Sequence, residues 1–494
     1  MPLLLKRDPS NGVIYNQPPN QPATPMVLRG AHCHLFGADG GVRFWGFTTG
    51  VGVQEFSVSF PASEPGNPDG CERVRTSPTL QPVTWGGNFA AFLDRLVASG
   101  CNLVRVFLSD GVFMSGGTVT SLHPYVFANF KWRIAAATRG DASAWSTAYF
   151  NRLRDFVQAA DARGVVVQLC LFTHHDLTSG SDGAGHAYWS KSFWNPDNAD
   201  VRDDVVTVIT KDLGTEGQKA SLRNQDFLNT ERTGLMAVQR AFVVKVLETV
   251  YPLGNVILEL NNEPRVLNDD AHRLTDAGAY MARWLDTATG WIISWLASRP
   301  IRWRPLISAN ASGPQLGLAH DVDSWKRLPA PSQYAQLDAI SYHGLTGYLP
   351  VPVPLADQPT APCGKKALPA VDRASIQKRV TEHRGKHNSK SLIFATDAVR
   401  DFPQWYPVVG RTQKEDLLRR DGQVRTSLGY EETSATVYEE RARADLDNWA
   451  YRVLRHGFGR AVPDPRPASV HFQNHSTTEP SFRVIGQATA AARV

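Results

Sequence analysis

Two acidic side chains stand where a strand-like run hands over to a loop. The first follows the apolar run NVILEL as Asn261-Asn262-Glu263-Pro264, which sets a carboxyl beside a side-chain amide; the second follows SLIFAT as Asp397. Two carboxyls of different proton affinity supply what acid–base and nucleophilic chemistry needs. One is kept protonated to give up a proton, and the other is kept ionised to attack or to stabilise developing positive charge. An apolar or negatively charged setting holds a carboxyl protonated, and a nearby cation holds one ionised. Arg105, in the run NLVRVF, is a candidate for that cation. A different chemistry is suggested by His32-Cys33-His34, an HxH pattern of the kind that holds a catalytic metal after a strand.

The elements that must position these groups follow a repeated order of helix, glycine and short apolar strand. In residues 88–99, Phe89, Phe92, Leu93, Leu96 and Val97 share one helical face, Gly100 ends it, and NLVRVFL follows. Tyr149, Phe150, Leu153, Phe156, Val157 and Ala160 make a second such helix, stopped at Gly164 before VVVQLCLF. A third, over 232–250, passes through Gly254 into NVILEL. Strands this evenly apolar are parallel strands covered on both faces. Strands are expected at 43–47, 102–107, 165–172, 255–260, 305–309, 338–342, 391–396 and 469–473, with further helices near 275–298, 371–385, 434–456 and 479–493. Eight strands alternating with helices predict a single α/β domain, a (β/α)8 barrel over 26–494. Residues 1–25 read as an N-terminal arm and 26–42 as a hairpin closing the barrel's base, and the fifth connection looks short. No glycine-rich phosphate turn follows any strand, which disfavours a doubly wound open sheet. The connections after the first two strands run to about 40 residues and after the third to about 60, so the elaboration sits at the strands' C-terminal ends, where such barrels carry their sites.

Composition narrows the function classes. The 494 residues include 52 Lys+Arg against 47 Asp+Glu, a net charge of +5 spread without basic runs, which argues against a nucleic-acid partner. No apolar run approaches the roughly 18 residues of a membrane span, and the opening MPLLLKRDPSNG is shorter in apolar residues than a signal peptide's core of about 7–15. Neither export nor retention in the cytoplasm is legible. The five cysteines are scattered without CxxC spacing; Cys101 and Cys170 lie in apolar runs and read as buried thiols. Several tryptophans, Trp85, Trp132, Trp189, Trp194 and Trp405, fall in the long loops, where a flat ring either packs its loop or faces a sugar.

The sequence resembles the clan-A glycoside hydrolases, the family-5 cellulase-like group especially, over most of its length. The resemblance is carried by Asn262-Glu263-Pro264 at the end of the fourth strand, FWGF (44–47), Arg105, the phrase AYFNRLRDFVQAADARGVVVQLCLF, the loop Phe193-Trp194-Asn195-Pro196 and the sixth-strand SYHG. It implies a carbohydrate substrate and no cofactor. It implies that Glu263 is the general acid/base and that Asn262 binds the sugar's 2-hydroxyl. It further implies that Arg105 sits under the nucleophile, that His174 or His175 lines the sugar site, and that Tyr342 and His343 support nucleophile or substrate, with Trp194 as a substrate-facing aromatic.

The chain departs from the family at the seventh strand, where Asp397 stands in place of a nucleophilic Glu and no Glu is adjacent. Asp shortens the reach by one carbon–carbon bond, about 1.5 Å. A retaining mechanism needs the two carboxyls about 5–5.5 Å apart and an inverting one about 6.5–9.5 Å. Retention through Asp397 is the expectation, with Glu431 or Glu432 as the fallback partner. Two alternatives stand beside it. One is a carbohydrate-binding barrel without catalysis, suggested by the shortened acid. The other is a metal-dependent hydrolase, for which PLISAN lacks the required fifth-strand His and the HxH precedes the expected first strand.

Overall fold

A computed structural model describes residues 3–26, 28–33, 35–36, 57–60, 73–76, 89–98, 102–109, 112–115, 118–119, 122–178, 186–201, 203–206, 216–251, 253–262, 264, 277–300, 304–312, 325, 328–343, 383–396 and 469–472. Eight strands close a barrel in chain order: Arg29–Cys33, Leu103–Phe107, Val166–Thr173, Val256–Asn262, Leu306–Ser312, Ala339–His343, Ser391–Thr396 and Ser469–Phe472. Every pairing around it is parallel, and the eighth strand returns to the first through Val470↔Arg29. The predicted α/β barrel is the fold.

The strands are apolar on both faces because both faces are covered: each residue of the second, third and fourth strands is buried. Helix Thr147–Asp161 is started by Ser146, whose hydroxyl accepts from the Tyr149 N–H at 3.3 Å, and buries the six residues its spacing selects. It ends at Gly164, φ 70°, with Val165 N–H returning to the Ala160 carbonyl. Helices Phe89–Ala98, Thr233–Val250 and Ala277–Ala297 lie where predicted. The expected helix at 371–385 lies mostly outside the described residues, and those at 434–456 and 479–493 wholly outside. Between the fifth and sixth strands the described element is a 3-10 turn, Gln333–Gln336. Each of the first three strands reaches its helix only after a long excursion, from Cys33 to Phe89, Phe107 to Thr147 and Thr173 to Thr233, whereas the returns are short.

The first strand corrects the sequence reading. It is Arg29–Cys33, paired through Gly30↔Leu103 and Cys33↔Val106, so 26–42 is no base hairpin; the expected strand at 43–47 lies outside the described residues. RGAHC is short and rich in small residues and so gives almost no hydrophobic signal, whereas RFWGF has the aromatic content that strands favour.

Closure of the base comes from the segment read as an arm. Leu5–Arg7, Ile14–Asn16 and Thr24–Met26 form an antiparallel sheet. Leu3, Leu5, Ile14 and Leu28 pack on Leu103, Val166, Ile257 and Leu306, residues at the N-terminal ends of four barrel strands. Polar ties hold the sheet there. Leu5 N–H donates to the Gly254 carbonyl at 3.0 Å and Leu3 N–H to Asp161 Oδ1 at 2.7 Å, while Arg7 and Arg304 both reach the buried Asp338.

Gly254 is required by this approach, because a Cβ there would stand 2.2 Å from the Leu3 carbonyl oxygen. Gly254→Ala is expected to lower stability by about 1–3 kcal/mol, in the range of overpacked sites. Chemical denaturation measures the loss, and amide exchange accelerated first at Leu5 shows that the sheet has lifted from the base.

Candidate functional site

Strand alternation decides what lines the barrel. Val104, Val106, Leu258, Leu260, Ile307 and Ala309 belong to the core under the helices, and Leu103, Ile257 and Leu306 to the base layer. The period of two therefore points Arg105, Glu259 and Ser308 inward, one level above the base. A charged layer inside a closed barrel must be internally paired.

Glu259 is the centre of that layer. Its carboxylate accepts from Arg105 Nε at 2.7 Å and Nη2 at 2.6 Å, from Gln168 Nε2 at 2.6 Å and from Asn310 Nδ2 at 3.3 Å. Both charged side chains are fully buried. Arg105 Nη2 also donates to Asn262 Oδ1 at 2.8 Å, which links the layer to the end of the fourth strand. A guanidinium has no acceptor, so the Asn262 oxygen must face it and the amide nitrogen must face away. That Nδ2 is buried and has no hydrogen-bond partner among the described residues.

The end of the third strand completes the described part of the rim. Thr173 Oγ1 accepts the His175 N–H at 3.2 Å and turns the chain into a 3-10 segment, His174–Leu177. His174 is buried, with Nδ1 3.3 Å from the Asn262 carbonyl oxygen. His175 is half-buried, edge-on to Phe107, whose ring face lies 4.7 Å from the Arg105 guanidinium carbon. Asp176 accepts a hydrogen bond from the Ser109 hydroxyl. Behind it, burial, and then the charge of Asp176, push the Tyr149 phenol well above its ordinary value, so Tyr149 stays a neutral donor to the Leu108 carbonyl.

Of the residues singled out in the sequence, Arg105, Asn262 and His174 are brought together. Tyr342 and His343 occupy the end of the sixth strand, in register with Ala311 and Ser312 on one side and Phe394 and Ala395 on the other. Glu263 and Asp397 lie outside the described residues; the strands that precede them end at Asn262 and Thr396. Trp194 is placed differently from expectation. It is 2% exposed and wedged among Phe172, Phe193 and Phe227, so it packs its loop and offers no face to a sugar. Trp132 is likewise buried and Trp189 carries the Arg223 guanidinium, while Trp85 and Trp405 lie outside the described residues.

His32 lies on the first barrel strand, level with Arg105, so one ground for setting aside the metal reading is removed; His34 lies outside the described residues. The other ground stands, because the fifth strand, LISANAS, carries no His. Glu259 was missed, although its signal was present: a lone acid at alternate spacing with Ile257 in a doubly covered strand has nowhere to point but inward.

No protein-family model matches the chain, and no curated protein matches it in sequence. Solved structures similar to it include a glycoside hydrolase family 5 mannosidase from Rhizomucor miehei, 11% identical over 99% of this chain and 98% of that one, TM-score 0.46. Endo-glycoceramidase II from Rhodococcus sp., in a cellobiose-like isofagomine complex, is 13% identical over 95% of this chain and 76% of that one, TM-score 0.43. PbGH5A, a glycoside hydrolase family 5 enzyme from Prevotella bryantii B14, is 11% identical over 94% and 96%, TM-score 0.43. The barrel stands on the strand order given above, and residue roles do not transfer at these identities.

Proposed function

We propose that the chain is a glycoside hydrolase acting on an oligo- or polysaccharide with retention of anomeric configuration, with Glu263 as acid/base and Asp397 as nucleophile. The observation that carries the reading is the buried Nδ2 of Asn262, the residue just before Glu263, which has no partner among the described residues and is turned away from Arg105. A buried donor without a partner is costly unless something else accepts from it, and a sugar hydroxyl is such an acceptor. The length of the connections at this end of the barrel supports the same reading, since sites in such barrels are built from the strand-to-helix loops.

In the first step Glu263 gives its proton to the glycosidic oxygen while an Asp397 oxygen bonds the anomeric carbon. The carbon–oxygen bond to the leaving group breaks, and a glycosyl ester remains. In the second, Glu263 takes a proton from water, the water oxygen bonds the anomeric carbon, and the ester bond to Asp397 breaks. Asn262, His174, His175, Tyr342 and His343 serve as substrate-binding groups, Arg105 acts beneath them, and no cofactor takes part.

A panel of glycans and aryl glycosides, read by NMR for the anomer first released, tests the proposal. Release of a product with the substrate's configuration is expected. Glycan binding with no release of reducing sugar would instead favour a carbohydrate-binding barrel, the second reading that the shorter Asp397 suggests.

A further inference from the structure

We infer that Glu259 is a positioning residue for the proposed cleavage: by clamping the Arg105 fork it fixes which way the Asn262 amide faces. The inference rests on the glycosidase reading and deepens it. Glu259 lies one level below the barrel mouth, and among the described residues its carboxylate accepts hydrogen bonds from Arg105, Gln168 and Asn310. Two of the Arg105 nitrogens bind it side by side, which locks the plane of the guanidinium. In that plane Nη2 has one further direction, and it is taken by Asn262 Oδ1 at 2.8 Å.

An Asn side chain can present either its oxygen or its nitrogen by a half-turn about its last torsion, and the two faces have opposite hydrogen-bonding sense. With Arg105 held, only the donor face is available to substrate. A sugar hydroxyl that accepts from Nδ2 keeps its own proton for a carboxylate. A contact of this kind at the 2-hydroxyl strengthens as charge develops at the neighbouring anomeric carbon. If Arg105 is released, the amide turns or wavers, and the contact is lost in the transition state rather than in the resting complex.

The test compares a 4-nitrophenyl glycoside with its 2-deoxy counterpart, the sugar being one that the wild-type protein hydrolyses. Wild type, Glu259→Gln, Glu259→Asp, Asn262→Ala and the Glu259→Gln/Asn262→Ala double variant are assayed side by side. Glu259→Asp keeps the charge opposite Arg105 and withdraws it by about 1.5 Å, so it carries the test if Glu259→Gln does not fold. The Glu259 variants are expected to lose about 100-fold in kcat/KM on the 2-hydroxy substrate, mainly in kcat, in the range for removal of one oriented donor. On the 2-deoxy substrate they should stay close to wild type, and the double variant should be no worse than Asn262→Ala alone. Equal losses on both substrates, or none, overturn the role of Glu259 while leaving the glycosidase reading intact. A wild-type protein that cleaves no such substrate overturns the reading and the role together.

Discussion

Replacing Asp397 by Asn is expected to reduce turnover of the best substrate by several powers of ten, on the order of 10⁴-fold or more, as removal of a catalytic nucleophile does elsewhere. The amide is nearly isosteric with the acid but cannot form the glycosyl ester, so both steps fail. Glu263→Gln should behave differently. The general acid contributes about 10²–10⁴-fold, and the loss should shrink on a nitrophenyl glycoside, whose leaving group departs with little protonation. Azide, a nucleophile that needs no base, should then restore the second step in Glu263→Gln. Steady-state rates on aryl and alkyl glycosides, with and without azide, check the pair of predictions. An Asp397→Asn protein of normal activity would remove that residue from the mechanism and direct attention to Glu431 and Glu432.

The second large effect is on stability. Arg105 and Glu259 are both fully buried and meet through two short hydrogen bonds. Taking two charges from water is expensive, and their attraction offsets it only while both are present. Arg105→Leu leaves the Glu259 carboxylate without its cation and is expected to lower stability by about 3–5 kcal/mol. Arg105→Leu/Glu259→Leu removes both charges and should recover much of that loss. Denaturant midpoints for wild type, the two single variants and the double variant measure the coupling. If the double variant is no more stable than the worse single one, the pair is not coupled in this way. The double variant should still lose about 100-fold in kcat/KM on a 2-hydroxy substrate, since it lacks the support beneath Asn262, which separates what the charges do for folding from what they do for the site.

Much of the architecture was legible in the sequence because it is written in periodicity. The residues chosen for the helix before Gly164 are the six that Thr147–Asp161 buries, and the runs of the second, third and fourth strands needed no tertiary information to be seen. The first strand was not legible, because Gly30 and Ala31 give a strand no hydrophobic signature and its place is settled by neighbours on either side. The N-terminal sheet was hidden for a related reason. Its strands are short and polar, and Leu3, Leu5 and Ile14 acquire meaning only when the open base of the barrel is there to receive them.

At the site, Asn262 was found from its position at a strand end and Arg105 from the family resemblance, but the carboxylate joining them was not. Glu259 was read as part of an apolar run, whereas its spacing from Ile257 sets it inside the barrel opposite Arg105. Trp194 shows the opposite error. An aromatic in a long loop was read as facing substrate, although three phenylalanine rings enclose it. Which face of a loop points inward is decided by contacts between segments far apart in sequence, and no local pattern reports it.

The most direct measurement is to trap the glycosyl ester. A substrate found in the panel is made as its 2-deoxy-2-fluoro derivative with an activated leaving group, so that the ester forms faster than it is hydrolysed. Intact mass should rise by one sugar unit, and peptide mapping should place the sugar on Asp397. A sugar carried on any other residue, or hydrolysis that inverts the anomer with no ester formed, would contradict the assignment.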